Sequence, residues 1–237
     1  MRHMVAALIR QSRAKVRLMS VSVKICGLTS PNDVDAAVEA GADMVGFVFF
    51  PASPRAVTIK RAAELAARVP EGVIKVALSV DADDELLRDI AENADVDMMQ
   101  LHGHETAERV VEVRRRFGLE VMKALPISDA ADVRHAHAYE TVADSLLLDA
   151  KPPKGATRPG GNAIAFDWRL IVGEKWTKPW LLAGGLTPEN VAEAIAVSGA
   201  RAVDVSTGVE DAPGIKSADK IRRFIAAAKA TESAANS

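Results

Sequence analysis

A single-domain (β/α)₈ barrel, or TIM barrel, is the fold that this α/β sequence predicts. Eight short apolar runs recur along the chain, and amphipathic segments with helical periodicity separate them. Eight such units fit a chain of 237 residues, because barrels of about this length commonly form one domain. The alternative is an open doubly wound sheet, which usually has fewer strands and a glycine-rich first turn. The first turn here, CGLTSPND, contains one glycine, so we favour the barrel.

The predicted elements follow one another in a regular order. The predicted strands span 21–26, 43–50, 73–80, 97–103, 120–127, 145–150, 180–185 and 201–208. The predicted helices between them include 31–41, 58–70, 83–94, 106–118 and 187–200. Ser30 and Thr187 each place a capping hydroxyl before a proline, which is typical of a helix start. Gly41, Gly118 and Gly199 stand where helices should stop.

The two ends of the chain differ from this pattern. We expect residues 1–20 to form a flexible extension, residues 21–230 the catalytic barrel, and residues 231–237 a disordered tail. The apolar run Met4 to Ile9 is soon interrupted by Arg10, so it is too short for a signal peptide or a membrane span. Met19 is an alternative start of the chain. The sequence therefore predicts no membrane partner.

The composition indicates which kinds of partner and which cellular compartment to expect. Charged residues make up 26% of the chain and the net charge is −2, which gives no indication of a nucleic-acid partner. A single cysteine cannot form an internal disulfide, which fits a reducing compartment. We therefore expect a cytoplasmic protein.

Polar residues stand near the carboxyl ends of strands that should otherwise be apolar. Parallel strands covered on both faces are usually almost entirely apolar, and the carboxyl ends of barrel strands carry the catalytic groups. The exceptions on four strands are Lys24, Cys26, Gln100, His102, Asp149, Asp204 and Ser206. This coincidence indicates an active site at that end of the barrel, with Lys24, His102 and Asp204 among the candidate substrate-binding residues.

Lys24 and Cys26 share one face of the first strand, because residues two apart in a strand point the same way. A lone buried cysteine is more often an inert small side chain. A neighbouring ammonium lowers the pKa of a thiol toward neutrality, as a base or a nucleophile requires. The pair therefore favours a functional Cys26.

Asp149 and His102 each have a structural alternative. Asp149 is equally consistent with capping the next helix or pairing with Lys151. His102 is more typical of a hydrogen-bonded core imidazole than of a metal ligand, because no second ligand stands at a suitable spacing. The sequence therefore predicts no metal and no cofactor.

Two anion sites are predicted around this end of the barrel. Gly184 and Gly185 follow the seventh strand, and Thr207 and Gly208 follow the eighth. The loops after these two strands often bind phosphate in barrels, and glycine allows the close backbone approach that this needs. Arg55, in a loop stiffened by two prolines, suits bidentate binding of a carboxylate.

One connection is unusually long. It runs from Lys151 to Trp168, after the sixth strand. Long loops between a strand and the next helix lie on the active-site face of a barrel. We therefore predict that this segment forms a lid.

The ordered motifs of the chain closely resemble those of the phosphoribosylanthranilate isomerase family of tryptophan biosynthesis. They are VKICGLTSPNDVDAAVEAGADMVGFVFFPASPR, MMQLHG, LLLDA, GGNAIAFDW, LLAGGLTPENV and AVDVSTGVE. The similarity runs from about Val21 to Ile225. It implies a barrel of the ribulose-phosphate-binding type, a small phosphosugar substrate and an Amadori rearrangement without a cofactor.

The resemblance also implies a role for each motif residue. Cys26 matches the family's general base and Asp149 its general acid. Arg55 matches the arginine that binds the anthranilate carboxylate, and the last two loops match its phosphate site. Ala163 and Ser217 depart from the usual family residues, the second in the motif GIKS, which we expect to affect only the cap of the last helix.

Alternative functions remain within and beyond this class. The nearest is another phosphosugar-binding barrel enzyme, similar to indole-glycerol-phosphate synthase, an epimerase or a histidine-pathway isomerase. A catalytically inactive phosphate-binding scaffold is the alternative of a different class, and it predicts loss of Cys26 or Asp149, both of which are present. The apolar helix faces are consistent with a monomer or a homodimer.

Overall fold

The computed structural model describes residues 21–152, 155, 160 and 165–235. Its eight parallel strands form a closed barrel in the order β1 to β8, each strand pairing with the next and β8 pairing with β1. The predicted fold is therefore confirmed. The predicted N-terminal extension lies outside the described residues.

The observed strands fall within the predicted runs, and six of the eight are shorter by one to three residues at one or both ends. The barrel strands are β1 Ser22–Cys26, β2 Met44–Val48, β3 Ile74–Ser79, β4 Met98–Leu101, β5 Glu120–Ile127, β6 Ser145–Ala150, β7 Trp180–Leu182 and β8 Ala202–Val205. The α-helices are α1 Pro31–Glu39, α2 Ile59–Ala66, α3 Asp84–Asn93, α4 Ala107–Phe117, α5 Ala130–His137, α6 Val191–Ser198 and α7 Ala218–Ala235. Short 3₁₀ helices span Ala138–Thr141, Trp168–Ile171 and Thr207–Val209.

Strand alternation separates two environments. On β1, Val23 and Ile25 are fully buried in the large core between the strands and the helices. Lys24 and Cys26 alternate with them and so point into the barrel. Cys26 packs there with Val48 and Leu78 near the carboxyl ends of the strands.

The ends of the helices test the predicted caps. Ser30 caps α1 by accepting a hydrogen bond from the backbone N–H of Asp33, and Gly118 and Gly199 end their helices in the left-handed conformation. The start predicted at Thr187 is wrong, since α6 begins at Val191. Thr187 instead accepts from the N–H of Glu189 in a preceding turn, which delays the helix.

Two features extend the basic barrel after β8. An antiparallel hairpin, β9 Glu210–Ala212 and β10 Ile215–Lys216, follows the last barrel strand. Helix α7 then continues to Ala235, past residue 230, because alanine and lysine in this segment favour helix. The tail predicted for 231–237 is thus helical up to Ala235, and the last two residues lie outside the described residues. In the described part of the chain, no helix is long and apolar enough to cross a membrane.

Candidate active site

A cavity of about 310 Å³ lies at the carboxyl ends of the barrel strands. The predicted site residues that line it are Cys26, Arg55, His102, Asp149, Gly184, Gly185, Asp204, Thr207 and Gly208. These residues come from loops or strand ends spread over the whole chain, and the closed barrel brings them around one space. The thiol of β1 and the carboxyl group of β6 thus face a common cavity.

Cys26 is almost completely buried at the end of β1. Burial raises the pKa of its thiol, and the positive charge of Lys24 only partly opposes this effect. The predicted shift toward neutrality is therefore wrong, because desolvation of the thiolate outweighs the neighbouring cation. Gly46 makes room for the pair: a Cβ added there would lie 2.9 Å from the Cys26 Sγ and 3.2 Å from the Lys24 Nζ.

Lys24 is fully buried and is not part of the cavity wall. Its Nζ donates to Oδ1 of Asp204 at 2.8 Å, and the two residues are cross-strand neighbours on β1 and β8. Burial alone lowers the pKa of this lysine, but the charges of Asp204 and Cys26 raise it above its ordinary value. Lys24 therefore stays an ammonium behind the cavity, a position that does not support its predicted contact with substrate.

Asp149 lies between a backbone N–H group and the ring of His102. Its Oδ1 accepts from the backbone N–H of Ala150 at 2.8 Å, and its Oδ2 lies 3.2 Å from Nε2 of His102. The other ring nitrogen of His102, Nδ1, lies 3.0 Å from the Nε2 amide group of Gln100. His102 is thus a hydrogen-bonded imidazole, as predicted, and its partners form a connected row with the carboxyl group.

Glycines allow the loops after β7 and β8 to come close to this carboxyl group and to each other. Gly184 has φ +85°, and a Cβ there would lie 2.5 Å from the backbone nitrogen of Ala150 and 3.0 Å from Oδ1 of Asp149. A Cβ on Gly208 would lie 1.9 Å from the carbonyl oxygen of Leu186. Both positions exclude any side chain, so the backbone itself forms this part of the wall.

Arg55 is buried and already carries a carboxylate partner. Its Nε and Nη2 donate to the two oxygens of Glu210 at 2.6 and 2.7 Å, and Nη2 also donates to Oγ1 of Thr207 at 3.1 Å. The Nη1 group has no partner among the described residues. The guanidinium is therefore fixed in a bidentate geometry with one amino group remaining for a ligand.

Glu210 and Lys216 are site-supporting residues that the sequence analysis missed. Lys216 is buried, and its Nζ donates to Glu210 Oε1 at 2.9 Å and to the carbonyl oxygen of Ser206 at 2.9 Å. Burial lowers the pKa of Lys216. Burial alone would raise the pKa of Glu210, but the hydrogen bonds and charges of Arg55 and Lys216 outweigh it and hold this pKa below its ordinary value. The motif GIKS thus reaches the active site through Lys216, beyond the predicted effect on the last helix. Two charged residues, five and eleven positions beyond the end of β8, were the available signal.

The loop after β3 has a structural role. The carboxylate of Asp81 accepts from the backbone N–H of His104 at 2.6 Å, and the N–H of Asp81 donates to Glu105 at 2.9 Å. Burial alone would raise the pKa of Asp81, but the hydrogen bonds from His104 outweigh it and hold this pKa below its ordinary value. Asp81 therefore ties the loops after β3 and β4 together, which places the segment that begins with His102.

Most of the predicted lid, including Ala163, lies outside the described residues. Gly160 is described, and a Cβ on it would lie 2.8 Å from Oδ2 of Asp149 and 3.0 Å from Nε2 of His102. Within the described ranges, no cluster of three or more His, Cys, Asp or Glu side chains is arranged to hold a metal ion.

Comparison with known families shows which family the chain belongs to. Residues 23–227 match the family model described as N-(5′-phosphoribosyl)anthranilate (PRA) isomerase. The chain belongs to the PRA isomerase family. The recognition made from the motifs is thereby confirmed, as are its consequences that the chain is an isomerase and acts in tryptophan biosynthesis.

Individual relatives extend over the whole barrel. The chain is 60% identical over 211 residues to N-(5′-phosphoribosyl)anthranilate isomerase of Paramagnetospirillum magneticum, covering 89% of this chain and 98% of that protein. The crystal structure of the Thermotoga maritima isomerase superposes with a TM-score of 0.81 at 39% identity, covering 89% of this chain and 99% of the other. A crystal structure of an isomerase in complex with reduced 1-(o-carboxyphenylamino)-1-deoxyribulose 5-phosphate gives a TM-score of 0.78 at 37% identity, with the same coverage.

Proposed function

We propose that this chain converts N-(5′-phosphoribosyl)anthranilate into 1-(2-carboxyphenylamino)-1-deoxyribulose 5-phosphate, with Asp149 as general acid and Cys26 as general base. The observation that carries these roles is the cavity that both side chains line, between the ends of β1 and β6. An acid and a base on two sides of one sugar are sufficient for an Amadori rearrangement. Membership of the family supports the reaction, and the geometry supports the residues.

Asp149 begins the reaction. Its carboxyl proton passes to the ring oxygen of the ribose while the bond from C1′ to that oxygen breaks. The lone pair of the anthranilate nitrogen forms the new C–N double bond, which gives an iminium and leaves Asp149 as a carboxylate. The hydrogen bond from Ala150, and the ring nitrogen of His102 at 3.2 Å, are placed to stabilise that carboxylate.

Cys26 completes the reaction. The iminium makes the hydrogen on C2′ acidic, and the thiolate removes it as the electron pair moves to nitrogen. The resulting enolamine becomes the ketone product by transfer of the O2′ proton and protonation of C1′. Because burial raises the pKa of Cys26, the thiolate is a strong base, and the buried ammonium of Lys24 supplies the opposing charge that lets it form.

The two ends of the substrate carry negative charges. We place the phosphate against the loops of Gly184, Gly185, Thr207 and Gly208. A side chain at Gly184 or at Gly208 would collide with the backbone of a neighbouring segment. We place the anthranilate carboxylate against Nη1 of Arg55, since Glu210 and Thr207 fix the rest of the guanidinium. Asp204 and His102 line the space between and remain candidates for contact with the sugar.

Consumption of freshly made phosphoribosylanthranilate, followed by its fluorescence, tests the proposal. We expect turnover by the purified chain, and a loss of kcat of at least about 100-fold in Cys26→Ala and in Asp149→Asn, which is the usual contribution of a general acid or base. Circular dichroism melting verifies that each variant is folded. The distant, exposed His135→Gln variant is the control and should keep its kcat.

Absence of turnover in the wild-type chain would contradict the reaction. Near-normal turnover in either folded variant would contradict the role of the substituted residue. The remaining expectations, a cytoplasmic location, a monomer or homodimer and no nucleic-acid partner, stay predictions.

A further inference from the structure

We propose that Gln100 and His102 are positioning residues that prepare Asp149 for proton transfer, with Gln100 fixing His102 as the tautomer that carries its proton on Nε2. This inference rests on the proposed role of Asp149 as general acid. It adds two residues that act through Asp149 and assigns a direction to each hydrogen bond between them.

The row of contacts is continuous from β4 to β6. The Gln100 amide nitrogen lies 3.0 Å from His102 Nδ1, His102 Nε2 lies 3.2 Å from Asp149 Oδ2, and Asp149 Oδ1 accepts from Ala150. Gln100 is fully buried, and residues two apart on a strand share a face, so its side chain supports that of His102. Asp149 is thus held at both oxygens.

The direction of the first hydrogen bond determines the rest. An amide –NH₂ group can only donate, so Nδ1 of His102 must be the acceptor and therefore carries no proton. A neutral imidazole has one N–H group, which must then lie on Nε2. Nε2 is the ring nitrogen that lies 3.2 Å from Asp149 Oδ2, so this tautomer places the ring proton on the side of the carboxyl group.

Gln100 also disfavours a proton on Nδ1 of His102. Such a proton would place two N–H donors against each other beside the fully buried Gln100 side chain. The other titratable groups that line the cavity are engaged elsewhere: Asp204 with Lys24, Arg55 with Glu210, Lys151 with Asp132, while Cys26 lies beside Lys24. His102 therefore presents Asp149 with an N–H donor in a fixed position.

A second observation supports a functional reason for Gln100. Its Oε1 is buried and has no hydrogen-bond partner among the described residues. A buried polar atom without a partner destabilises the fold. A leucine at position 100 would avoid this cost. We therefore attribute the glutamine to its –NH₂ group, which faces His102.

Nitrogen-15 NMR of the histidine rings tests the tautomer directly. We expect His102 in the unliganded wild-type chain to show a non-protonated Nδ1 and a protonated Nε2 at neutral pH. The chain has five histidines, and His102→Gln identifies the signal by its disappearance. A proton on Nδ1, alone or in an imidazolium, would overturn the proposal. Since this measurement needs no turnover, its outcome is separate from that of the proposed function.

Kinetics of three variants test the consequence for Asp149. In His102→Leu we expect kcat to fall about 10- to 100-fold with KM nearly unchanged, because a misplaced acid slows the chemical step. His102→Gln keeps an N–H donor near the position of Nε2 and should recover most of kcat. In Gln100→Leu, His102 loses the amide donor that fixes Nδ1 as the acceptor, so kcat should fall by a similar factor, again with KM nearly unchanged.

The alternative outcomes are distinct. Equal losses in His102→Leu and His102→Gln, with both variants folded, would show that the imidazole acts in another way than as a donor. An unchanged kcat in folded Gln100→Leu would contradict the role of Gln100. His135→Gln again serves as the control for replacement of a histidine.

Discussion

The two sides of the active-site cavity are built from different interactions. On the side of β1 and β8, buried ion pairs surround the thiol: Lys24 with Asp204, and Glu210 with its two cationic partners. On the side of β4 and β6, a carboxamide, an imidazole and a backbone N–H surround the carboxyl group of Asp149. The base is thus placed among buried ion pairs, and the acid among groups that carry no formal charge in the proposed His102 tautomer.

This difference indicates how each group is adjusted. The thiol must lose a proton in a desolvated site, and a full positive charge nearby is the strongest way to oppose the effect of burial on its pKa. The carboxyl group needs a fixed orientation and must exist in both protonation states, which a neutral donor tolerates. Removal of charge should therefore damage the base side most, and loss of hydrogen-bond geometry should damage the acid side most.

Removal of the ammonium on the base side should have the largest effect on stability. In Lys24→Met, Asp204 is left as a buried carboxylate without its cation, and breaking such a pair costs about 3–5 kcal/mol in the free energy of unfolding. Urea unfolding followed by circular dichroism measures the loss. The double variant Lys24→Met with Asp204→Leu should recover most of it, and equal instability of the single and double variants would show that the pair is not the cause.

Glu210→Gln should weaken substrate binding. The substitution replaces the bidentate carboxylate partner of Arg55 and also removes the partner of Lys216. We expect KM to rise about tenfold, since a lost charge-assisted hydrogen bond costs roughly 1.5–3 kcal/mol. Steady-state kinetics distinguish this from a loss of kcat. Arg55→Ala should raise KM at least as much, and an unchanged KM in Arg55→Ala would remove its role toward the carboxylate.

Gly184→Ala tests the backbone wall beside the acid. Both this glycine and Gly118 have φ values in the left-handed region, but only Gly184 has neighbouring atoms within 4 Å of the added Cβ. Gly118→Ala is thus the matched control, and we expect it to lose about 1 kcal/mol of stability through backbone strain alone. Gly184→Ala should lose more and also lower kcat, as thermal melting and the fluorescence assay would show. Equal effects of the two variants would mean that contact with Asp149 and Ala150 is unimportant.

Much of this organisation was predictable from the sequence. The strand runs, Ser30 and the polar residues at the strand ends each depend on local pattern, so the barrel and nine of the lining residues followed from the sequence. The turn at Thr187 did not follow from the sequence, because a hydroxyl before a proline is also typical of a turn that precedes the helix.

Two features of the site depend on tertiary structure and therefore could not be predicted from the sequence. The direction of the Cys26 pKa shift comes from competition between burial and one cation, and a sequence does not give the extent of burial. The contact between Arg55 and Glu210 joins residues 155 positions apart through the hairpin after β8. The missing information was three-dimensional in both cases.

Titration of Cys26 alongside the pH dependence of kcat/KM tests the central claim most directly. The chain has one cysteine, so ¹³Cβ-cysteine labelling gives a single NMR signal that reports the thiolate fraction. Since the base acts as thiolate and burial raises its pKa, we predict that the thiol titrates above its ordinary value of about 8.5. In Asp149→Asn no acid titrates at position 149, so we predict that the residual kcat/KM of this variant rises with pH in parallel with the thiolate fraction. A residual kcat/KM that stays constant while the thiolate fraction increases tenfold would contradict proton abstraction by Cys26.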